Sequence, residues 1–453
     1  MSFSRPSKID GVDQQLRQRL LAAVDTNAEY WAFRHDAVRR HAHALFQYPA
    51  MMVPQMQARL IGDICHVCPK IQNVFDPYVG SGTVLTEAML HGLNFLGQDI
   101  NPLAVLLCRV KSGPFFVDSL ELRVNGLLSR IKADRKRSIA VDFPGIQKWF
   151  RDDVARDLSK IVRAIREERE LWSRRFFWVA LAETIRRTSN SRTSTVKLHI
   201  RPLIEIVTRP IDVVSLFLEI ARSNAARLRV KHAILRERKR LVRGTYANNI
   251  EIKLGDSAKP SNDQEVGQFD LLITSPPYGD NVTTVPYGQH SYLPLQWIDR
   301  KDIDPKFDEQ LISTTHAIDS SSLGGRRKGA LDAVPELKER SYAFAATMCD
   351  LKGEKRDRTL RVSAFIRDLD TSLAVILPKM RRNAYLLWVV GNRSVGQRPI
   401  PLDAIVRELH ESRGAVHVTT IERTIPSKRM AVRNDTSSTM TKECILVMRK
   451  DGN

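Results

Sequence analysis

Residues 74–83 read Val-Phe-Asp-Pro-Tyr-Val-Gly-Ser-Gly-Thr and join a short apolar strand to a helix. The turn between them contains two glycines, Gly80 and Gly82, which let the backbone approach a bound molecule closely. In a parallel sheet such a turn lies at the carboxyl edge, where ligands bind. It is not a phosphate-binding P-loop, because no Gly-Lys-Ser/Thr follows, and it lacks the three glycines of the dinucleotide fingerprint. The turn therefore indicates either a ligand site or a plain strand–helix connection.

Strands and helices alternate on both sides of this turn. Helical patterns separate the strands, and this alternation predicts an α/β fold in which helices cover both faces of a parallel sheet. Runs of apolar residues indicate strands at 74–76, 94–99, 250–254, 269–274 and 384–391, with terminal strands near 415–422 and 443–449.

The charge of the chain is concentrated in one segment. The 453 residues include 71 Lys and Arg against 51 Asp and Glu, a net charge of +20. Residues 111–250 alone hold 31 basic and 15 acidic residues, and residues 151–188 have a helical pattern. A uniform excess of one sign favours contact with nucleic-acid phosphates, whereas the alternative is a solvated helical face.

Other classes of protein are disfavoured by composition. No apolar run approaches the roughly 18 residues of a membrane span, and the N-terminus lacks a secretory signal. Five cysteines are too few and too scattered for a disulfide framework. Cys65 and Cys68 form half of a zinc motif with no second pair, so we expect them to pack in the core and predict no metal site. We therefore expect a cytoplasmic protein that does not enter a membrane.

Acidic residues follow the strands next to the glycine turn. Asp99 ends the second strand, where a carboxylate can accept both hydroxyls of a ribose, and Asp256 follows the third. An adenosine with a charged tail that is not a phosphate fits such a site. Asp76 can then pair with an ammonium group of the ligand, while backbone amides around Gly80 and Gly82 bind its carboxylate.

The most informative motif is Thr274-Ser275-Pro276-Pro277-Tyr278, which follows an apolar strand. The two prolines stop the strand abruptly and hold Ser275 and Tyr278 in a rigid turn. Because proline has no N–H, the carbonyl groups of this turn remain free acceptors.

Together, residues 76–83 and 275–278 resemble the S-adenosylmethionine-dependent DNA amino-methyltransferases, and the Thr-Ser-Pro-Pro-Tyr form is most similar to the N4-cytosine members. Tyr48-Pro49-Ala50 resembles a further motif of the family, which closes over the methionine end of the cofactor. The resemblance covers roughly 48–110 and 250–298 and is weaker over 361–450. It implies a Rossmann-like class I methyltransferase sheet, and S-adenosyl-L-methionine as the cofactor.

The resemblance also implies roles for individual residues. Catalytic roles are expected at the Ser-Pro-Pro-Tyr motif, namely Ser275, Pro276, Pro277 and Tyr278. Cofactor binding is expected at Tyr48, Phe75, Asp76, Pro77, Gly80, Ser81, Gly82, Thr83, Asp99, Ile100, Asp256 and Ser257.

The expected reaction methylates the N4 amine of a cytosine at a particular site in double-stranded DNA. Ser275 Oγ and the Pro276 carbonyl would accept the two amine hydrogens, and Tyr278 would stack on a base flipped out of the duplex. Tyr287 and Tyr292 either help to hold the base or pack in a lid. The setting implied is restriction–modification or another phage defence, with a cognate restriction endonuclease as a further partner. The alternatives are an amino-methyltransferase acting on adenine N6 of DNA or on RNA, and a non-catalytic DNA-binding protein.

The predicted domain organisation follows from these motifs. We expect one methyltransferase domain interrupted by a basic, mainly helical insertion, and either the insertion or the polar region after the catalytic part reads the DNA sequence. The segments are an N-terminal helical extension (1–47), the first methyltransferase part (48–110), the basic insertion (111–249), the catalytic part (250–298), a flexible or partly disordered loop region (299–358) and the C-terminal part (359–453).

Overall fold

The computed structural model describes residues 9–34, 40–260, 266–425 and 440–451. Within them the chain forms a seven-stranded sheet with helices on both faces, which confirms the predicted α/β, Rossmann-like fold. The strands are β1 Asn73–Asp76, β2 Asn94–Asp99, β3 Leu241–Val242, β4 Thr245–Tyr246, β5 Ile250–Leu254, β6 Phe269–Thr274, β7 Met380–Val390, β8 Arg393–Val395, β9 Arg398–Ile400, β10 Ala415–Thr424 and β11 Lys442–Lys450.

Helices make up most of the remaining regular structure. Short 3₁₀ helices supplement them at Tyr30–Ala32, His41–Ala44, Glu309–Ile312 and Leu377–Lys379. The α-helices are α1 Gly11–Thr26, α2 Pro54–Val67, α3 Thr83–His91, α4 Pro102–Ser112, α5 Val117–Ala133, α6 Ile146–Trp149, α7 Asp152–Arg166, α8 Leu171–Thr188, α9 Leu203–Thr208, α10 Val213–Glu237, α11 Tyr287–Trp297, α12 Arg300–Ile303, α13 Ala317–Ser321, α14 Val334–Arg340, α15 Tyr342–Asp350, α16 Arg356–Ile376 and α17 Leu402–Glu411.

The strand order of the sheet is β10-β11-β7-β6-β1-β2-β5. The five strands from β7 to β5 pair in parallel, whereas β11 is antiparallel to both β7 and β10. The prediction of a parallel sheet therefore holds for five strands and misses the direction of β11. Strand direction is not encoded in the apolar pattern of a single strand, which depends on burial alone.

Side chains on successive strand residues enter two separate cores, one on each face of the sheet. In β6, Leu271 and Ile273 join the first core, which the sheet forms with α1–α8 and α10, whereas Leu272 joins the second core, which it forms with α14–α17. The same alternation places Leu387 and Leu386 of β7 on opposite faces. This period of two follows from the pleat of a strand and fixes the register of the sheet between its helical layers.

Helices α5–α10 lie in the chain between β2 and β5. The long helix α10 packs against α5, α7, α8 and α3, so these helices share one core with the sheet. The helical pattern over 151–188 forms two helices, α7 and α8, which are separated by residues 167–170. Of the apolar residues in this pattern, six are buried in these helices: Val154, Leu158, Ile161, Ile165, Phe176 and Phe177.

The structure corrects the prediction that residues 299–358 form a flexible or partly disordered loop region. Short helices α12–α15 and one 3₁₀ helix form there, and Phe344 and Leu337 are buried in the second core. Helices of four to nine residues contain too few turns to produce a clear apolar period, so the charged composition dominated the interpretation. Over the described ranges, no helix is both long enough and apolar enough to cross a bilayer.

Candidate active site

An open cleft lies at the carboxyl edge of the parallel strands. It encloses about 810 Å³, open solvent included. Residues that follow four neighbouring strands form its walls: Pro77 after β1, Asp99 at the end of β2, Asp256 after β5 and Ser275 after β6. The cleft thus occupies the position at which ligands bind open α/β sheets.

Most of the residues predicted to bind a cofactor or substrate line this one cleft. The lining includes Tyr48, Pro77, Gly80, Ser81, Thr83, Asp99, Ile100, Asp256, Ser257, Ser275 and Pro277.

Five predicted site residues do not line the cleft. Phe75 is buried in the second core, where its ring stacks on Phe269 with 5.1 Å between centroids. Pro276 is buried within its turn, and Gly82 begins α3. Asp76 and Tyr278 stand behind the cleft wall and reach it through hydrogen bonds.

The glycine turn has the conformation that its glycines allow. Gly80 has φ +47° and Gly82 has φ +70°, both in the left-handed region. A Cβ on Gly82 would lie 2.8 Å from Cys108 Sγ, so this position has no room for a side chain. Behind the turn, the buried ammonium of Lys111 donates a hydrogen bond of 2.6 Å to the carbonyl of Ser81. The backbone of the turn is therefore fixed from behind while its front faces the cleft.

Asp99 connects the glycine turn to the next strand. Its Oδ2 accepts a hydrogen bond of 2.8 Å from the Gly80 amide, and its Oδ1 accepts one of the same length from the Asn101 amide. Burial raises the pKa of Asp99 to about 6, although these backbone donors oppose the shift. Next to it, Asn101 caps α4 and donates to the hydroxyl of Tyr48 at 3.0 Å.

Asp76 is fully buried at the end of β1. Its Oδ1 accepts hydrogen bonds from the Thr274 hydroxyl at 2.6 Å and from the Tyr78 amide at 3.1 Å. Within the described residues its Oδ2 has no hydrogen-bond partner. Burial raises the pKa of Asp76 to about 7. A buried carboxylate oxygen without a partner is costly, and a cationic group in the cleft would compensate it.

The serine of the proline turn is held by a hydrogen-bond chain. Ser275 Oγ lies 3.0 Å from the hydroxyl of Tyr278, and that hydroxyl donates to Glu443 Oε1 at 3.1 Å. Glu443 also pairs with Arg423 on the neighbouring strand. Burial raises the pKa of Tyr278 well above its ordinary value, so the phenol keeps its proton. The arrangement leaves Ser275 on the cleft wall and the ring of Tyr278 against the second core.

Several residues of the cleft were not predicted from the sequence. Asn281 lines the cleft, is 3% exposed, and has an Oδ1 without a hydrogen-bond partner in the part of the chain that is described. Its position three residues after Tyr278 was the available signal. Ser322 and Leu323 enter the cleft from the region interpreted as a loop, and no motif marks them.

The aromatic residues that follow the proline turn have different environments. Tyr287 lines the cleft and stacks on Tyr48 at 5.7 Å, with 27° between the rings. Tyr292 is buried in the first core instead. Half-buried Cys65 and Cys68 also pack against that core, and the described residues contain no cluster of three or more potential metal ligands.

The basic segment, residues 111–249, divides its cations between structure and surface. Arg123 and Arg130 pair with the buried Glu168, and Arg163 pairs with Asp134, so these guanidinium groups hold helices together. By contrast, the three consecutive cations 135–137 are exposed just beyond α5.

Comparison with known proteins gives one match over nearly the whole chain. The sequence is 32% identical over 456 residues, 96% of this chain and 97% of the relative, to the type II methyltransferase M.MvaI of Kocuria varians. A shorter match of 28% identity over 99 residues joins 20% of this chain to 17% of the type II methyltransferase M.MjaII of Methanocaldococcus jannaschii. No family profile and no solved structure matches the chain.

Proposed function

Because this chain belongs to the type II methyltransferases, we propose that it methylates the N4 amine of a cytosine at a specific site in double-stranded DNA, with S-adenosyl-L-methionine as the methyl donor. A restriction–modification setting, with a cognate endonuclease as partner, is part of this proposal. The observation that carries it is the shared cleft. Ser275 of the Thr-Ser-Pro-Pro-Tyr motif and Gly80 and Asp99 of the glycine turn line the same cavity.

The residues of the cleft fit the proposed cofactor. Asp99 offers carboxylate oxygens for the ribose hydroxyls, and Asp256 lines the same edge of the sheet. The amides of the glycine turn would bind the carboxylate of the methionine moiety, and the unpartnered oxygen of Asp76 would bind its ammonium. Tyr48, stacked on Tyr287, would close the cofactor pocket. When bound, the cofactor supplies an electrophilic methyl group on a sulfonium.

The proline turn would hold the base that is methylated. A cytosine inside a duplex cannot reach this cleft, so we propose that it is flipped out of the helix. Ser275 Oγ and the Pro276 carbonyl would each accept one hydrogen of the N4 amine, which turns its lone pair out of conjugation with the ring. Most of the rate enhancement would come from holding this amine in line with the methyl donor. The ring of Tyr278 packs behind the cleft wall rather than lining it, so the role we propose for this residue is confined to its hydroxyl, which bonds to Ser275.

Exposed cations of the basic segment would bind the DNA backbone. Contact with phosphates by Lys and Arg accounts for most affinity that does not depend on sequence. Both this segment and residues 299–358 remain candidates for reading the recognition site, and the second of these contributes Ser322 and Leu323 to the cleft.

The proposal is tested by the product. Plasmid DNA from cells that express the chain should yield N4-methylcytosine after digestion to nucleosides and mass spectrometry. The Ser275→Ala variant should lower this product by about a hundredfold, because a positioned hydrogen-bond acceptor is lost, while its affinity for the cofactor stays within about twofold. N6-methyladenine as the sole product would refute the choice of base. No methylated base, together with no binding of the cofactor in calorimetry, would identify a non-catalytic DNA-binding protein.

A further inference from the structure

A chain of hydrogen bonds leads from the cleft wall to a buried ion pair. The Tyr278 hydroxyl lies between Ser275 Oγ, at 3.0 Å, and Glu443 Oε1, at 3.1 Å. Glu443 faces Arg423 across the β10–β11 ladder and accepts from its guanidinium through Oε2. Arg423 Nε donates to the main-chain carbonyl of Trp31 at 2.9 Å. A residue of the cleft is thereby coupled to the far side of the sheet.

The fold leaves space for this series of hydrogen bonds and shields it in part from solvent. Tyr278 follows β6 but bonds to a residue of β11, and β7 lies between these two strands. Gly391 follows β7 at that point, and a Cβ on it would lie 2.8 Å from Tyr278 Cδ2. The side chain of Arg423 is 4% exposed and that of Glu443 16% exposed. In such partly buried surroundings water competes less well for these hydrogen bonds than it does at the surface.

The direction of each proton in the chain follows from the groups involved. A guanidinium has only donors and a carboxylate has only acceptors, so Arg423 donates and Glu443 accepts. Tyr278 has a single hydroxyl proton, and it donates this proton to Glu443. The oxygen of Tyr278 is then the acceptor for the hydroxyl proton of Ser275. The remaining lone pairs of Ser275 Oγ are left for a group in the cleft.

We propose that Glu443 is a positioning residue that fixes Ser275 Oγ as a hydrogen-bond acceptor toward the target base. The inference rests on the proposed function, in which the base amine donates a hydrogen to Ser275. Cytosine carries an amine at this ring position, whereas uracil carries a carbonyl, which has no hydrogen to donate. A serine that can only accept therefore favours the amine, because the carbonyl would face an unpaired lone pair. Glu443 acts on substrate choice through Tyr278, without contact with the base.

The substitution Glu443→Gln should reverse the donor and acceptor roles along this series of hydrogen bonds. Because Arg423 has only donors, it will donate to the amide oxygen of the new glutamine. The amide nitrogen is then left to donate to Tyr278. The phenol proton must then point to Ser275, and the serine proton must point into the cleft. We expect kcat to fall by about tenfold or more, while the KM for the cofactor changes by less than about twofold. We expect the unmodified protein to bind a duplex with uracil at the target position about tenfold more weakly than one with cytosine. The E443Q variant should abolish this difference.

Removing the phenol hydroxyl separates this mechanism from a merely structural one. Tyr278→Phe lets the Ser275 hydroxyl rotate freely, so we expect a smaller loss in kcat than for E443Q. In the double variant E443Q/Y278F the reversed proton has no path to Ser275, and kcat should rise to the level of Y278F alone. A further fall in the double variant, or an E443Q protein with unchanged kcat and unchanged base preference, would overturn the proposal.

Controls cover folding and the proposed function itself. Glu422→Gln changes the neighbouring carboxylate, which is exposed and paired with Lys442, and should alter neither readout. If E443Q fails to fold, Arg423→Met with Glu443→Met removes both charges and should reduce kcat to the level of Y278F, a result that an unchanged kcat would contradict. The unmodified protein tests the proposed function separately. If its product is N6-methyladenine, the choice of cytosine fails, and the same binding test is made with adenine against hypoxanthine.

Discussion

The hydroxyl of Thr274 donates a hydrogen bond of 2.6 Å to Oδ1 of Asp76, and this bond joins the carboxyl ends of β6 and β1. The two residues are 198 positions apart in sequence. Thr274 begins the proline motif and Asp76 begins the glycine turn, so the bond links the two motifs that the proposed reaction needs. The distance between the substrate side and the cofactor side of the cleft is thereby set within the sheet.

Removing this bond should affect both stability and cofactor binding. Thr274→Val keeps the shape of the side chain but leaves Asp76 with one hydrogen bond fewer in a buried position. We expect the free energy of unfolding to fall by about 1–3 kcal/mol and the affinity for the cofactor to fall with it. Urea unfolding and calorimetric titration measure the two effects. Thr371→Val, which removes an exposed hydroxyl bonded only within α16, is the matched control and should change neither.

The raised pKa of Asp76 should be visible in stability against pH. In the folded chain this pKa is about 7, above the ordinary value of 3.8 for an aspartate. Between these values the folded state binds a proton that the unfolded state has lost, so the stability due to this group is complete below pH 3.8 and disappears as the pH rises through 7. Between pH 5 and pH 7, Asp76→Asn should reduce the slope of the free energy of unfolding against pH by up to about 1.4 kcal/mol per pH unit. Parallel curves for the two proteins would show that Asp76 does not titrate in this window.

Local sequence signals were sufficient for the central strands and the cleft. β1 and β2 end in Asp, β5 is followed by Gly255 and β6 by Ser-Pro-Pro, and such boundaries depend only on neighbouring residues. Parallel strands bring their carboxyl ends to one edge, which is why Asp99 and Ser275 could be expected in the same cleft.

Contacts between distant residues were not predictable in the same way. Glu443 bonds to Tyr278 across 165 positions, and nothing near either residue indicates that partner. The expectation that the Tyr278 ring faces the cleft came from the motif alone, whereas its packing depends on the space left by Gly391. Ser322 reaches the cleft because short helices fold over it, and such helices leave little trace in the pattern of apolar residues.

Gly82 should tolerate no side chain. Gly82→Ala imposes a left-handed backbone on alanine and places a Cβ 2.8 Å from Cys108 Sγ. Gly414→Ala imposes the same strain, with φ +81°, in open space, and should cost about 1–2 kcal/mol of stability without affecting the cofactor. We expect Gly82→Ala to cost more than this control and to weaken cofactor binding. Cys108→Ala added to Gly82→Ala should recover part of the loss in thermal unfolding; no recovery would show that backbone strain alone explains the effect.

Cations 135–137 are three consecutive exposed candidates in the basic segment for contact with DNA phosphates. They are exposed just beyond α5, whereas Arg123, Arg130 and Arg163 are engaged in ion pairs within the helices. Each phosphate contact contributes about 0.9 to the slope of log K against log salt concentration. Replacing the three residues 135–137 by alanine should therefore reduce that slope by about 2–3 and weaken binding to a duplex at physiological salt.

The matched control replaces three cations of the other candidate segment. Residues 326–328, Arg-Arg-Lys, are likewise three consecutive cations; two of them are exposed, and Arg327 pairs with Asp357. Fluorescence anisotropy with one labelled duplex at several salt concentrations compares the two variants directly. A larger loss of slope for 326–328 than for 135–137 would assign the phosphate contacts to the short helices that cover the cleft. The charge of the basic helices would then serve the ion pairs that hold them together and the solvation of their outer face, rather than DNA binding.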